Sequence, residues 1–597
     1  MRIKWFSFVR VTGLLLVLLY HFFQRAFPGG FIGVDVFFTF SGYLITALLI
    51  DEFARNKMID LLGFLRRRFY RIVPPVVIMV LVVLPFTFLI RKDFVADIGR
   101  QIASVLGFTT NLYEIFTGSS YESQFIPHLF VHTWSLAIEV HFYLFWGILV
   151  WFLSKKVKDP TQFRGLIFLI SVGLFLLSFF TMFARAFFVN SFSTIYFSTL
   201  SHIFPFFLGA IFATMSGISE TTKRFKKNVQ LWQTKRVVFF MVGSAALLFL
   251  LGFILDFNNI ITYLFGFALA SLFTAVMVYS SRVLNDQTPS YLQEPAFVTY
   301  LADISYGVYL FHWPFYIIFG QLMNNWLAVI FTVLFSLTFA TISYYVVEPY
   351  IAGKQAVLFG LTVPIEHYKK WFYSLVGLLT VVTLGIAFTA PSVGSFETGL
   401  LVDALNQADN NMNRTHTLAA GDASAISDIT VIGDSVALRS STAFSELLPE
   451  AQVDAAVSRN FGNAYDIFKN HIDNSTLSKT VVLAVGVNSV EGYKDNIQQF
   501  IDNLPDGHRL IIVTPYNTKD ERIPDVRDYE LDLAKKYQFV TIADWYQAAV
   551  AHPEIWTESD GVHYNDSSDE GAKLYVETIK KAIQTSAKQP AKGEKQP

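Results

Sequence analysis

The chain has 597 residues, a formal net charge of −1 and no cysteine. Near-zero charge excludes a general attraction to nucleic acid, and the missing cysteine excludes disulfides, cysteine zinc sites and thiol catalysis. With 53% hydrophobic and only 16% charged residues, against about 25% charged in soluble proteins, and a mean hydropathy of +0.43, the composition calls for a membrane protein of more than one domain.

Met1-Arg2-Ile3-Lys4 opens an apolar run, but no small-residue cleavage site follows, so it reads as a first span rather than a signal peptide. Eleven apolar segments approach the roughly 20 residues that a bilayer requires: 6–24, 32–52, 72–90, 129–153, 164–186, 195–215, 236–255, 258–280, 303–323, 325–347 and 371–390. Pro314 in the ninth predicts a kink. With the N-terminus inside, Arg66 to Arg71, Lys155 to Arg164, Lys223 to Arg236 and Lys354 to Lys370 fall in inside loops, and Arg91, Lys92 and Arg100 are the main exceptions. The Lys/Arg bias therefore places everything after residue 390 outside.

Ionisable residues inside spans are expensive. They are Arg10 and His21 in the first span, Asp35 in the second, His132 and Glu139 in the fourth, His312 in the ninth and Glu348 at the end of the tenth. One such residue alone reads as snorkelling or helix pairing. Three histidines in three spans point to proton transfer, which neutral imidazole can perform in a low-dielectric site. Arg66, Arg67, Arg68 and Arg71 precede the third span. They read as a positive-inside anchor, or as a clamp for a phosphorylated acyl carrier, since guanidinium presents a planar fork of donors.

Arg10 with His21, the run Gly33–Gly42 followed by Tyr43, the R-x-x-R of Arg68 and Arg71, the H-T-W-S-L-x-x-E of His132 to Glu139, and Tyr309-Leu310-Phe311-His312-Trp313-Pro314 together resemble the acyltransferase family 3 membrane proteins over residues 1–350. That resemblance implies that Arg10, Arg68 and Arg71 hold an acyl donor and that His21 is a catalytic base. His141 stands where the family more often has Gln.

Residues 351–390 read as a cytoplasmic connector and final span. Residues 391–427, rich in Ser, Asn, Asp, Thr, Ala and Gly, read as a linker with a short helix near 396–411. From 428 the apolar runs ITVIG, VDAAV, TVVLAVG, RLIIVTP and FVTIAD alternate with polar helical stretches. This predicts an α/β domain over 428–587 with a parallel sheet. The tail 588–597, with its Lys, Gln and Pro, reads as disordered.

Within that domain Thr430–Arg439 is a strand, a Gly433-Asp434-Ser435 turn and a helix, where a serine nucleophile belongs. Asp560-Gly561-Val562-His563 supplies an acid and a base. Asn488, in Gly486-Val487-Asn488, supplies an oxyanion donor. The ordered set resembles the SGNH hydrolase family over 427–587: Ser435 matches its nucleophile, Asn488 its third-block Asn, and Asp560 and His563 its last block. The second-block glycine falls at Ser458, in Val457-Ser458-Arg459-Asn460, or at Gly462.

A family 3 membrane domain fused to an external SGNH domain resembles the peptidoglycan O-acetyltransferases of Gram-positive bacteria. The expected protein is a multi-pass helical membrane domain of 10 or 11 spans followed by an extracellular α/β domain. It takes acetyl groups from cytoplasmic acetyl-CoA, a substrate rather than a resident cofactor, and passes them to wall peptidoglycan through Ser435. No metal and no nucleic-acid partner is expected. The alternatives are another acceptor (teichoic acid or exopolysaccharide), an esterase, and a non-enzymatic glycan sensor.

Overall fold

The computed structural model describes residues 3–594 except 118–126, 190, 290, 420–427, 489, 491, 519, 521, 557–558 and 566–568. It divides into two compact units, Met1–Ser392 and Val393–Pro597.

The first unit is helical. Among the described residues nine helices are long and apolar enough to cross a membrane. They correspond to nine of the eleven expected segments. The other two also fold as helices: Phe6–Phe22, at 17 residues short for a span, and Ala296–Leu322, which runs unbroken through Pro314. The third expected segment begins earlier than its apolar run. Its helix, Leu61–Val83, is capped by the Asp60 side chain and already contains Arg66, Arg67, Arg68 and Arg71. These arginines therefore stand on helical turns and not in a loop. Helices 33–56 and 204–216 are in backbone contact at Gly42, where a Cβ would lie 2.0 Å from the Phe206 carbonyl oxygen. The connector holds a short antiparallel hairpin, β1 (Ala356–Leu358) with β2 (Leu361–Val363), before the helix Ile365–Thr389.

The second unit carries a five-stranded parallel sheet of β3 (Ile429–Gly433), β4 (Gln452–Ala455), β5 (Thr480–Ala484), β6 (Arg509–Val513) and β7 (Val540–Ala543), in the order β4-β3-β5-β6-β7. Every residue of β3 is buried, because helices cover both faces of such a sheet, and that is why the strand reads as a continuous apolar run. The chain leaves β3 towards β4 on one side and returns to β5 on the other. The crevice at the carboxyl ends of β3 and β5 is thus the topological switch point, where open α/β sheets bind ligands.

Two expectations change here. The short helix expected near 396–411 is a 25-residue helix, Ser395–Ala419, which takes up most of the segment read as a linker. Leu400, Gln407 and Asn411 share one face at helical spacing. Leu400 is buried, Gln407 bonds both the N–H and the carbonyl of Ala455 at 3.1 and 2.9 Å, and Asn411 reaches the Val453 carbonyl at 3.4 Å. The helix thereby covers the edge strand β4, whose polar backbone would otherwise be open. The tail read as disordered is docked as far as Glu594. Lys592 donates to the Ile501 and Asp502 carbonyls at 2.8 and 2.9 Å, its own carbonyl accepts from Gly507 N–H, and Ala591 is buried.

Glu530 is fully buried, and neither of its carboxyl oxygens has a partner among the described residues. Burial, then the nearby Asp544 charge, push its pKa well above the ordinary value. A folded-state pKa above the unfolded one means that the unfolded chain releases this proton first, so stability falls as pH rises past about 4.5. Glu530→Gln removes the penalty. The melting temperature of this unit in the purified full-length protein should rise relative to the parent at pH 8 and gain little at pH 4, by about 2–4 °C for each kcal/mol recovered. An equal change at both pH values would show that folding does not raise the Glu530 pKa.

Candidate active site

Ser435 lies at the start of the short helix Ser435–Arg439, directly after β3. Gly433 is needed because a Cβ there would come within 2.3 Å of the Ala437 Cβ. Asp434 caps the turn by accepting from Val436 N–H at 3.0 Å, and its other oxygen lies 3.5 Å from Val487 N. It therefore ties the serine turn to the loop after β5. Burial pushes the Asp434 carboxyl up to about 7 in spite of these backbone donors.

Ser435 and His563 are both buried, and Ser435 Oγ is 2.7 Å from His563 Nε2. His563 Nδ1 is 2.7 Å from Asp560 Oδ2, while Asp560 Oδ1 accepts the backbone N–H groups of Val562 and His563 at 2.9 and 2.7 Å. Burial would raise the Asp560 carboxyl, but the His563 charge and these hydrogen bonds outweigh it and hold the group well below the usual range. An ionised Asp560 only accepts, so Nδ1 carries the imidazole proton and Nε2 presents its lone pair to the serine hydroxyl. The Ser435, His563 and Asp560 expected from sequence are thus joined in one chain of hydrogen bonds.

Asn488 follows β5 and is half-buried; its amide donates to the Arg459 carbonyl at 3.0 Å. Arg459 is buried and was not singled out from sequence. Its guanidinium donates to the Gly433 carbonyl at 3.1 Å and to Asp454 at 2.7 Å, so it joins the loop after β4 to the end of β3. Ser458, just before it, has φ of +57°, the left-handed conformation that favours glycine. Gly462 lies instead inside the helix Phe461–Asp473. Of the two candidates, Ser458 is thus the one whose backbone lies in the left-handed region.

In the membrane unit a cavity of about 100 Å³ gathers Arg10, Arg68 and Arg71 with Ser41, Ser135, Glu139, Tyr143 and Tyr309. The spacings of Arg68 with Arg71 and of Ser135, Glu139 and Tyr143 set each group on one helix face. Ser41 donates to Glu139 at 2.7 Å, and Tyr143 donates to the same carboxylate oxygen. Arg10 lies 5.2 Å from the Phe40 ring centroid. Arg68 Nε is buried with no partner among the described residues. Three guanidinium groups against one carboxylate form a wall suited to a phosphorylated group.

His21 is not among the lining residues of this cavity. It bonds His312 instead, Nδ1 to Nε2 at 2.8 Å. The third histidine, His132, lies with its ring centroid 5.8 Å from that of His312. Pro314 explains its placement. Proline has no N–H, so the carbonyl four residues back, Leu310, loses its helical partner, and His132 Nε2 fills that vacancy at 2.9 Å. Tyr309 connects the two groups, lining the cavity and donating its hydroxyl to the His132 carbonyl at 2.7 Å. Asp35 pairs with His202, which sequence reasoning missed, at 3.2 Å in a fully buried setting. His141 bonds Thr199 at 3.1 Å and Glu348 accepts from Ser343 at 3.0 Å; neither lines the cavity. Among the described residues no cluster of His, Asp and Glu could hold a metal.

Residues 3–347 match the family model described as an acyltransferase domain, Acyl_transf_3. "O-acetyltransferase OatA" of Staphylococcus aureus strain NCTC 8325 is 26% identical over 97% of this chain and 96% of its own length. The protein of the same description from strain MRSA252 is 27% identical over the same shares. The solved C-terminal catalytic domain of Streptococcus pneumoniae peptidoglycan O-acetyltransferase A (OatA), with a methylsulfonyl adduct, is 44% identical, covering 28% of this chain and 99% of that one at a TM-score of 0.28.

Proposed function

Since the chain belongs to acyltransferase family 3, whose domain occupies residues 3–347, we propose that it is a multi-pass membrane O-acetyltransferase that moves acetyl groups from cytoplasmic acetyl-CoA to hydroxyls of peptidoglycan amino sugars outside the cell. The unbroken Ser435–His563–Asp560 hydrogen-bond chain carries this reading. The S. aureus relatives, described as O-acetyltransferases and aligned over nearly the whole chain, support it.

On the inner side Arg68 and Arg71, with Arg10, hold the phosphates of the donor. His21, towards the outer end of the first helix, takes the proton of the nucleophile that attacks the thioester carbonyl, the C–S bond breaks, and the CoA thiolate leaves with that proton. On the outer side the acetyl group reaches Ser435. His563 Nε2 accepts the Ser435 hydroxyl proton as Oγ attacks the acyl carbonyl. The oxyanion is met by the Asn488 amide and by backbone N–H groups, with that of Ser458 in the second-block role. The tetrahedral adduct collapses, and the leaving group departs with the proton from His563. A sugar hydroxyl then gives its proton to His563 and attacks the ester, and Ser435 Oγ leaves and recovers that proton. Asp560 holds the imidazole tautomer and its positive charge throughout.

Mass spectrometry of wall muropeptides tests the acceptor. A strain lacking the gene should lose the acetyl mass on one amino sugar. An unchanged muropeptide profile with acetyl lost from teichoic acid or exopolysaccharide would move the activity to that glycan. Orientation has its own test: a reporter fused after residue 420 should be active only in an external compartment, and cytoplasmic activity would overturn the relay.

A further inference from the structure

The orientation of His312 fixes which nitrogen of His21 carries a proton. His312 is fully buried, with Nδ1 2.6 Å from the Tyr309 carbonyl and 3.2 Å from that of Val308. A carbonyl oxygen only accepts, so His312 Nδ1 bears hydrogen, and in a neutral ring its Nε2 is then a lone pair. That lone pair is 2.8 Å from His21 Nδ1. Two bare nitrogens at this distance would repel, so His21 Nδ1 bears hydrogen and donates. The proton of His21 is thereby held on the buried side of the ring, and Nε2 is left unprotonated. We propose that His312 is a positioning residue that locks His21 in the Nδ1–H tautomer and so presents Nε2 as the base. The role parallels that of Asp560 towards His563, with a neutral acceptor in place of a carboxylate. A neutral acceptor stabilises the imidazolium less, so the proton taken up at Nε2 is given back easily. The groups facing the pair are Tyr20, Phe22 and Trp313 against the rings, His132, and the Tyr309 main chain.

The inference rests on the reading of His21 as the base, and two measurements on the full-length protein in nanodiscs separate them. Nitrogen-15 NMR of histidine-labelled protein, with His21→Asn to assign the resonance, should show His21 protonated at Nδ1 and bare at Nε2. A His21 resonance in the Nε2–H form overturns the proposal without touching the role of His21. In acetyl transfer, His312→Leu should lower kcat about 10- to 100-fold at nearly unchanged KM for acetyl-CoA, a neutral hydrogen bond and the correct tautomer both being lost. His312→Gln, whose amide oxygen can accept from His21 Nδ1, should recover most of that loss. If His21→Ala is inactive while His312→Leu keeps full rate, the positioning role is wrong. If His21→Ala keeps full rate, the reading of His21 as the base is wrong. A His312→Gln enzyme no better than His312→Leu would also contradict the acceptor role.

Discussion

Ser435→Ala should abolish acyl transfer to the glycan. The hydroxyl that would carry the acetyl group is gone, and no other nucleophile stands at 2.7 Å from His563 Nε2 among the described residues. His563→Ala should be nearly as severe, because Ser435 would keep its proton. Asp560→Asn should be milder than either but still cost about 10⁴ in turnover, the loss seen when a triad imidazole is turned to the wrong tautomer. Its carboxylate accepts His563 Nδ1–H together with two backbone N–H groups, so an amide would also meet donors with a donor. Asn488→Ala should cost roughly 10²–10³, the range for one oxyanion donor. These losses should not add, because the groups act as one unit. A serine-reactive fluorophosphonate on the purified protein checks the assignment: label should map to Ser435 and vanish in His563→Ala. An active Ser435→Ala enzyme would return Gly433-Asp434-Ser435 to the status of a turn.

Replacing Arg68 and Arg71 together should stop acetylation of the glycan while leaving fluorophosphonate labelling of Ser435 unchanged. The two side chains line the same cavity as Arg10, and Arg68 Nε is buried without a partner among the described residues. A guanidinium held that way retains donors for an incoming phosphate. Lysine keeps the charge but not the planar fork. The Arg→Lys pair should therefore fall well short of the parent in acetyl transfer, read as acetyl-CoA consumed by the full-length protein in nanodiscs. Full activity in the lysine variant would mean that charge at the membrane surface is sufficient, and the phosphate clamp would be lost. Loss of Ser435 labelling in the double variant would mean that the substitution had damaged the outer unit as well.

Where periodicity and chemistry point the same way, the sequence reading and the structure agree. The buried strands announce themselves as apolar runs, and Ser435, His563 and Asp560, singled out by their motifs, are the residues that the hydrogen bonds then connect. The helix over the edge strand was expected only as a short one, and its docking was not legible because it works through amides. Gln407 and Asn411 carry the contact, and a hydrophobic pattern cannot register them. The docked tail escaped for a related reason, since Lys592 holds it by reaching carbonyls at the end of another helix. Arg459 sat in a stretch already singled out, but the missing glycine drew attention to Ser458 beside it. Spacing along the chain also says little about which in-span residues meet. Arg10 and His21 share a helix, yet Arg10 faces the arginine cavity and His21 faces His312. The one local clue was Pro314, whose missing N–H frees the carbonyl that orients His132.

The claim that the acetyl group rests on Ser435 between donor and sugar is tested most directly by trapping it there. Full-length protein in nanodiscs, given acetyl-CoA and no glycan, is quenched in acid within the first turnovers and digested for peptide mass spectrometry. The account predicts an acetyl ester on the peptide containing Ser435, absent from the Arg68/Arg71 double variant and discharged when glycan is added before the quench. Glycan acetylated at full rate with no acetyl on Ser435 at any time would contradict it.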